Sequence, residues 1–106
     1  MTKTETAKAF IAKMREELAQ FHAVLDVRFV PYGDTDTGDA HIKLTSQHGH
    51  RLEVLLEWDD PIHGDEALDG FFVCSSANNG WHDARRLEPV LAELGDRLYV
   101  FAKHGR

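Results

Sequence analysis

The side chains best suited to chemistry in this chain are its histidines and a mid-chain concentration of carboxylates. There are seven histidines in 106 residues: His22, His41, His48, His50, His63, His82 and His104. Neutral imidazole ligates metals and serves as a general base near neutral pH. His48-Gly49-His50 has a spacing that chelates a metal from a strand. A zinc site would need a third ligand, for which His63 or a nearby aspartate is the candidate. The pair falls at a hairpin turn, however, where two rings need not converge. A small metal-dependent enzyme or metal sensor using His48, His50 and His63 is therefore the alternative reading, and no metal or other cofactor is expected.

The carboxylates fall into two loops and one strand. Asp34-x-Asp36-x-Gly38-Asp39 resembles the start of a calcium loop. Counted from Asp34, the sixth position is Asp39 where glycine is required, and the twelfth is Thr45 where glutamate is required. The segment Asp59-Asp60-Pro61-Ile62-His63-Gly64-Asp65-Glu66 offers five possible ligands, but on an irregular stretch without a rigid frame. Glu53 and Glu57 share one strand face roughly 13 Å apart, too far for a tight acid–base pair. The chain has no Gly-x-Ser-x-Gly elbow, no P-loop and no Gly-x-Gly-x-x-Gly. Their absence weighs mildly against enzymes that depend on those motifs, and no catalytic residue is assigned.

Charge gives a second line of argument. The net charge is −6. Residues 26–70 hold eleven acidic and three basic side chains, a balance of −8, so the middle of the chain carries more than the whole excess. Binding to nucleic-acid phosphates asks for the opposite. A partner protein with a basic surface is the natural complement.

These residues need elements to position them. Arg51–Trp58 has the clearest pattern: Leu52, Val54, Leu56 and Trp58 alternate with Arg51, Glu53, Leu55 and Glu57. A period of two gives one apolar and one charged face, as in an antiparallel sheet. Residues 40–45 alternate likewise. Joining the two strands with both apolar sets on one face requires a three-residue loop, Gln47-His48-Gly49, with Gly49 left-handed. Leu44 then faces Leu52, and Lys43 faces Glu53.

Residues 1–21 read as an amphipathic helix. Thr2 to Glu5 forms a capping box, and Ala7, Phe10, Ile11, Met14, Leu18 and Phe21 form the stripe. Residues 24–32 read as a strand whose Pro31 marks an end or an edge. Residues 70–76 read as a buried strand. Residues 82–87 read as a short turn and residues 88–94 as a helix capped by Gly95. Residues 97–103 read as a last strand in which Leu98, Val100 and Ala102 alternate.

The expectation is one α+β domain over 1–106, with a mainly antiparallel sheet of about five strands. The order is α-β-β-β-β-α-β, with the helices on one face. One cysteine, no long apolar run and a polar N-terminus point to the cytoplasm. The functional expectation is a non-enzymatic protein-binding module, monomeric or homodimeric. It would be a small acidic inhibitor or adaptor docking on a basic surface, such as that of a nucleic-acid-handling protein. A dimeric chaperone-like adaptor is a further alternative. The residues assigned to the partner are Asp34, Asp36, Asp39, Glu53, Leu55, Glu57, Asp59, Asp60, Asp65 and Glu66, with Tyr32 or Trp58 as additional apolar anchors.

Overall fold

The structure is a computed structural model that describes residues 2–31, 36–58, 69–74, 80–84 and 87–105. It opens with helix α1, Lys3–Leu18. Thr2 is the N-cap, and its hydroxyl accepts from Glu5 N–H at 3.1 Å while donating to the Glu5 carboxylate at 3.0 Å. Ala7, Ile11, Met14 and Leu18 are buried at steps of three and four residues. Burying the larger three stabilises the helix on its support by about 1.5–3 kcal/mol each. A single 3₁₀ turn follows, and His22 closes it in the left-handed region at φ 58°.

The strands are β1 (Val24–Pro31), β2 (Gly38–Thr45), β3 (Arg51–Trp58), β4 (Asp69–Cys74) and β5 (Gly80–Ala84). Among the described residues they form one antiparallel meander in the order β1-β2-β3-β4-β5. The register aligns Leu25, Leu44 and Leu52, then Val27, Ile42, Val54 and Val73, then Phe29, Ala40, Leu56 and Phe71. These rows belong to the core, with Val27 and Phe29 half-buried beside it. The intervening set on β1 to β3 is mostly exposed.

The β2–β3 hairpin has the expected register. Ser46 N–H donates to His50 O at 2.8 Å and Gly49 N–H to Ser46 O at 2.9 Å, enclosing Gln47-His48-Gly49. Gly49 has φ +86°, which only glycine adopts freely. Leu44 faces Leu52 and Lys43 faces Glu53.

The second half of the chain corrects the sequence reading. Helix α2 runs from Leu87 to His104, so the strand expected at 97–103 is helical. Leu87, Val90, Leu91, Leu94, Leu98, Phe101 and Ala102 are its buried stripe, while Tyr99 and Val100 are exposed. The run 97–103 mimicked a strand because Leu98 to Ala102 are all apolar or aromatic, and so short an apolar run fits either period. Pro89 sits in the first turn, where its missing N–H removes no helical bond. Gly95 does not cap the helix. A Cβ there would lie 3.3 Å from a Phe10 ring carbon and 3.7 Å from the Met14 sulfur, so glycine lets α1 and α2 approach. The cap is Gly105, at φ +74°, whose N–H donates to Phe101 O at 2.7 Å. Residues 82–84, expected in a short turn, belong to β5. The class is α+β with an antiparallel sheet and two helices, ordered helix, strands, helix.

Candidate functional site

The two helices pack on each other and on the sheet, and the set of strand residues opposite the core is left uncovered along β1 to β3. On this open face Asp26, Arg28, His41, Lys43, Arg51 and Glu53 are exposed, and Leu55 is half-buried among them. The period of two that buries one set places the other here. The register builds cross-sheet rows: Asp26, Lys43 and Glu53, then Arg28, His41 and Leu55. The second row continues through the positions of Phe72 and Trp81. Lys43 Nζ lies 4.0 Å from Glu53 Oε1 with both side chains largely in solvent, so the pair adds at most about 1 kcal/mol. Asp26, Arg28, His41 and Lys43 line a shallow depression at the β1 side. These four were absent from the expected partner-binding set. The signal for them was the polar phase of the alternation that located the strands.

Of the expected acidic residues, Asp36, Asp39, Glu53 and Glu57 are among those described. Asp34, Asp59, Asp60, Asp65 and Glu66 lie outside the described residues, as do Tyr32 and His63. Glu53 is exposed on the open face, and Glu57 is half-buried. Asp39 is buried at 8% exposure. Trp58 is buried at 2%, because it shares the phase of Leu52, Val54 and Leu56, and so it is no surface anchor.

Asp36 is a structural tether. Its carboxylate accepts from Lys3 N–H at 2.6 Å and Thr4 N–H at 2.9 Å, the first two helical residues of α1. With Thr2 on Glu5, the three N–H groups of the first turn are all satisfied. Thr4 Oγ1 in turn accepts from the Trp58 indole N–H at 3.0 Å. The segment leading into β2, the start of α1 and the end of β3 meet at this point. Partial burial works against the Asp36 charge, but the hydrogen bonds from Thr4 and Lys3 and the Lys3 charge outweigh it. The carboxyl is held below its ordinary value of 3.8.

His48 and His50 flank the end of α2. A methyl group added to Gly105 would lie 3.6 Å from His48 Cδ2, 3.6 Å from Ser46 Oγ and 3.8 Å from His50 Cδ2. The hairpin tip thus packs on the helix terminus. Among the described residues no group of three or more histidine, cysteine or acidic side chains is placed to hold a metal ion. No described helix is long and apolar enough to cross a membrane.

Compared with known protein families, curated proteins and solved structures, the chain has no match.

Proposed function

We propose that the protein is a non-catalytic protein-binding module whose docking surface is the open face of its sheet. One observation carries this reading: both helices serve the core, while the opposite set on β1 to β3 stays exposed around half-buried Leu55. Leu55 supplies an apolar centre on this face, and charged residues flank it. Interfaces that bind well have this form, an apolar centre inside a polar rim. Asp26, Glu53 and Glu57 balance Arg28, Lys43 and Arg51 on this face, so a basic partner is favoured by long-range steering from the acid excess of residues 26–70 as a whole, not by the charge of the face itself. An inhibitor or adaptor role fits such a surface, and the asymmetry of charge keeps nucleic acid itself from being the ligand.

The test is affinity capture from the host with wild-type protein and with Leu55→Asp. Leu55 is on the open face, so the fold is retained, as circular dichroism would show. A partner held by wild type, lost with Leu55→Asp and released by moderate salt supports the reading. A partner retained equally by the variant removes the open face as the docking surface.

A further inference from the structure

We propose that the protein forms a symmetric dimer by pairing β1 with β1 of a second copy. Strand β1 stands at the end of the strand order, so one of its edges faces away from β2. Two contacts fix which residues point outward. The carbonyl of Leu25 accepts from Arg15 Nε of α1, away from β2. The carbonyl of Val30 lies on the β2 side, 3.0 Å from where a Cβ on Gly38 would stand. Successive residues in an antiparallel strand direct their N–H and C=O to alternate sides. Leu25, Val27 and Phe29 therefore present their backbone groups outward, while Asp26, Arg28 and Val30 bond to β2.

The sequence of this edge is self-complementary. Val24-Leu25-Asp26-Val27-Arg28-Phe29-Val30 reads as matching pairs about Val27. A two-fold axis at Val27 sets Asp26 opposite Arg28 of the second copy and Arg28 opposite Asp26 of the second copy. It sets Leu25 opposite Phe29 and Val24 opposite Val30. The backbone agrees with this register, because the outward residues Leu25, Val27 and Phe29 then meet outward residues in hydrogen-bonded pairs. Asp26 and Arg28 fall in the closer, non-hydrogen-bonded pairs, where side chains interact most. An axis at Asp26 or at Arg28 would oppose like charges. The second copy is therefore the occupant that charge and register select.

Exposure is consistent with this occupant. Val24 is 65% exposed and Asp26 and Arg28 are exposed, while Val27, Phe29 and Val30 are half-buried. Natural sheets guard open edges with short strands, prolines or inward charges. Here the guard is confined to the ends: Pro31 closes one, and Arg15 touches Leu25 O at a long 3.4 Å. A carbonyl oxygen has a second lone pair for Phe29 N–H of the other copy. The dimer would join the two meanders into one sheet with all helices on one face. Its open faces would run together, with the two depressions beside the axis.

The test is sedimentation equilibrium of the full chain. Wild type is expected at twice its 12.0 kDa mass. Asp26→Arg and Arg28→Asp each turn two attractive cross-strand pairs into like-charged ones, and each should weaken dimerisation by about tenfold or more. Mixing the two variants restores both pairs and should give a heterodimer, as should the double variant with itself. These residues are exposed, and circular dichroism checks that each variant folds. A monomeric wild type, single variants that dimerise as wild type does, or a mixture that stays monomeric would each overturn the proposal. Leu55→Asp leaves this edge intact, so loss of partner binding and loss of the dimer are read separately.

Discussion

A carboxylate that looks like charged surface in the sequence holds the first turn of α1. Asp36 takes two backbone N–H groups that the helix cannot satisfy itself. Replacing it with alanine should cost about 0.5–2 kcal/mol, the range for lost N-terminal caps. The pH dependence has a definite sign. Because the folded carboxyl lies below its ordinary value, its contribution is present above that value and fades as pH falls through the folded one. Urea denaturation of wild type and Asp36→Ala should therefore differ at neutral pH and converge in acid below the ordinary carboxylate value. A gap that stays constant with pH would mean the charge plays no part. Nothing local in the sequence showed this role, since Asp36 and Lys3 are 33 residues apart. Only Thr2 and Glu5, both near the helix start, carried a local capping signal.

At the scale of elements, the two halves of the chain differ in how openly they state their structure. Between residues 38 and 58 the alternation is long, the faces are chemically distinct and the loop parity leaves one solution. The hairpin could thus be read to the residue. Beyond residue 80 the punctuation misleads. Pro89 and Gly95 look like breaks, yet one occupies a first turn and the other a helix crossing. Both depend on tertiary context that local propensity does not carry. The open-face set was legible as a strand phase, while the depression at Asp26, Arg28, His41 and Lys43 required knowing that β1 lies beside β2. The helical assignment of residues 97–103 has a direct check. Leu98→Ala should cost about 2–5 kcal/mol, as for a large core side chain. Val100→Glu should stay within about 0.5 kcal/mol, since Val100 is 52% exposed on the far side of the helix. Equal costs in thermal denaturation would favour a strand, where residues 98 and 100 share a face.

For the whole molecule, the sheet depends on both helices to cover its apolar face. Ile42, Leu44, Val54, Leu56, Trp58 and Phe71 are fully or almost fully buried, and α1 and α2 meet above them. Phe21 and Tyr99 add an edge-to-face contact at 5.1 Å between the 3₁₀ turn after α1 and α2. Removing residues 1–22 would expose much of that surface and delete one side of the helix pair. The shortened chain should lose its cooperative thermal transition and self-associate. A sharp, reversible melt would show that α2 alone suffices.

The tether at Asp36 and Trp58 also orders events in time. During translation α1 emerges before the strands it packs on, and a helix of 16 residues is marginal in water by itself. Its first-turn amides must wait for Asp36, its Thr4 hydroxyl for the Trp58 indole, and its Phe10 and Met14 for the crossing at Gly95. A helix made before the sheet is thus among the last of these elements to settle. The nascent chain holds an unfinished apolar stripe until Gly95 has followed Phe10 and Met14 out of the ribosome, which at about 5–20 residues per second is several seconds of exposure.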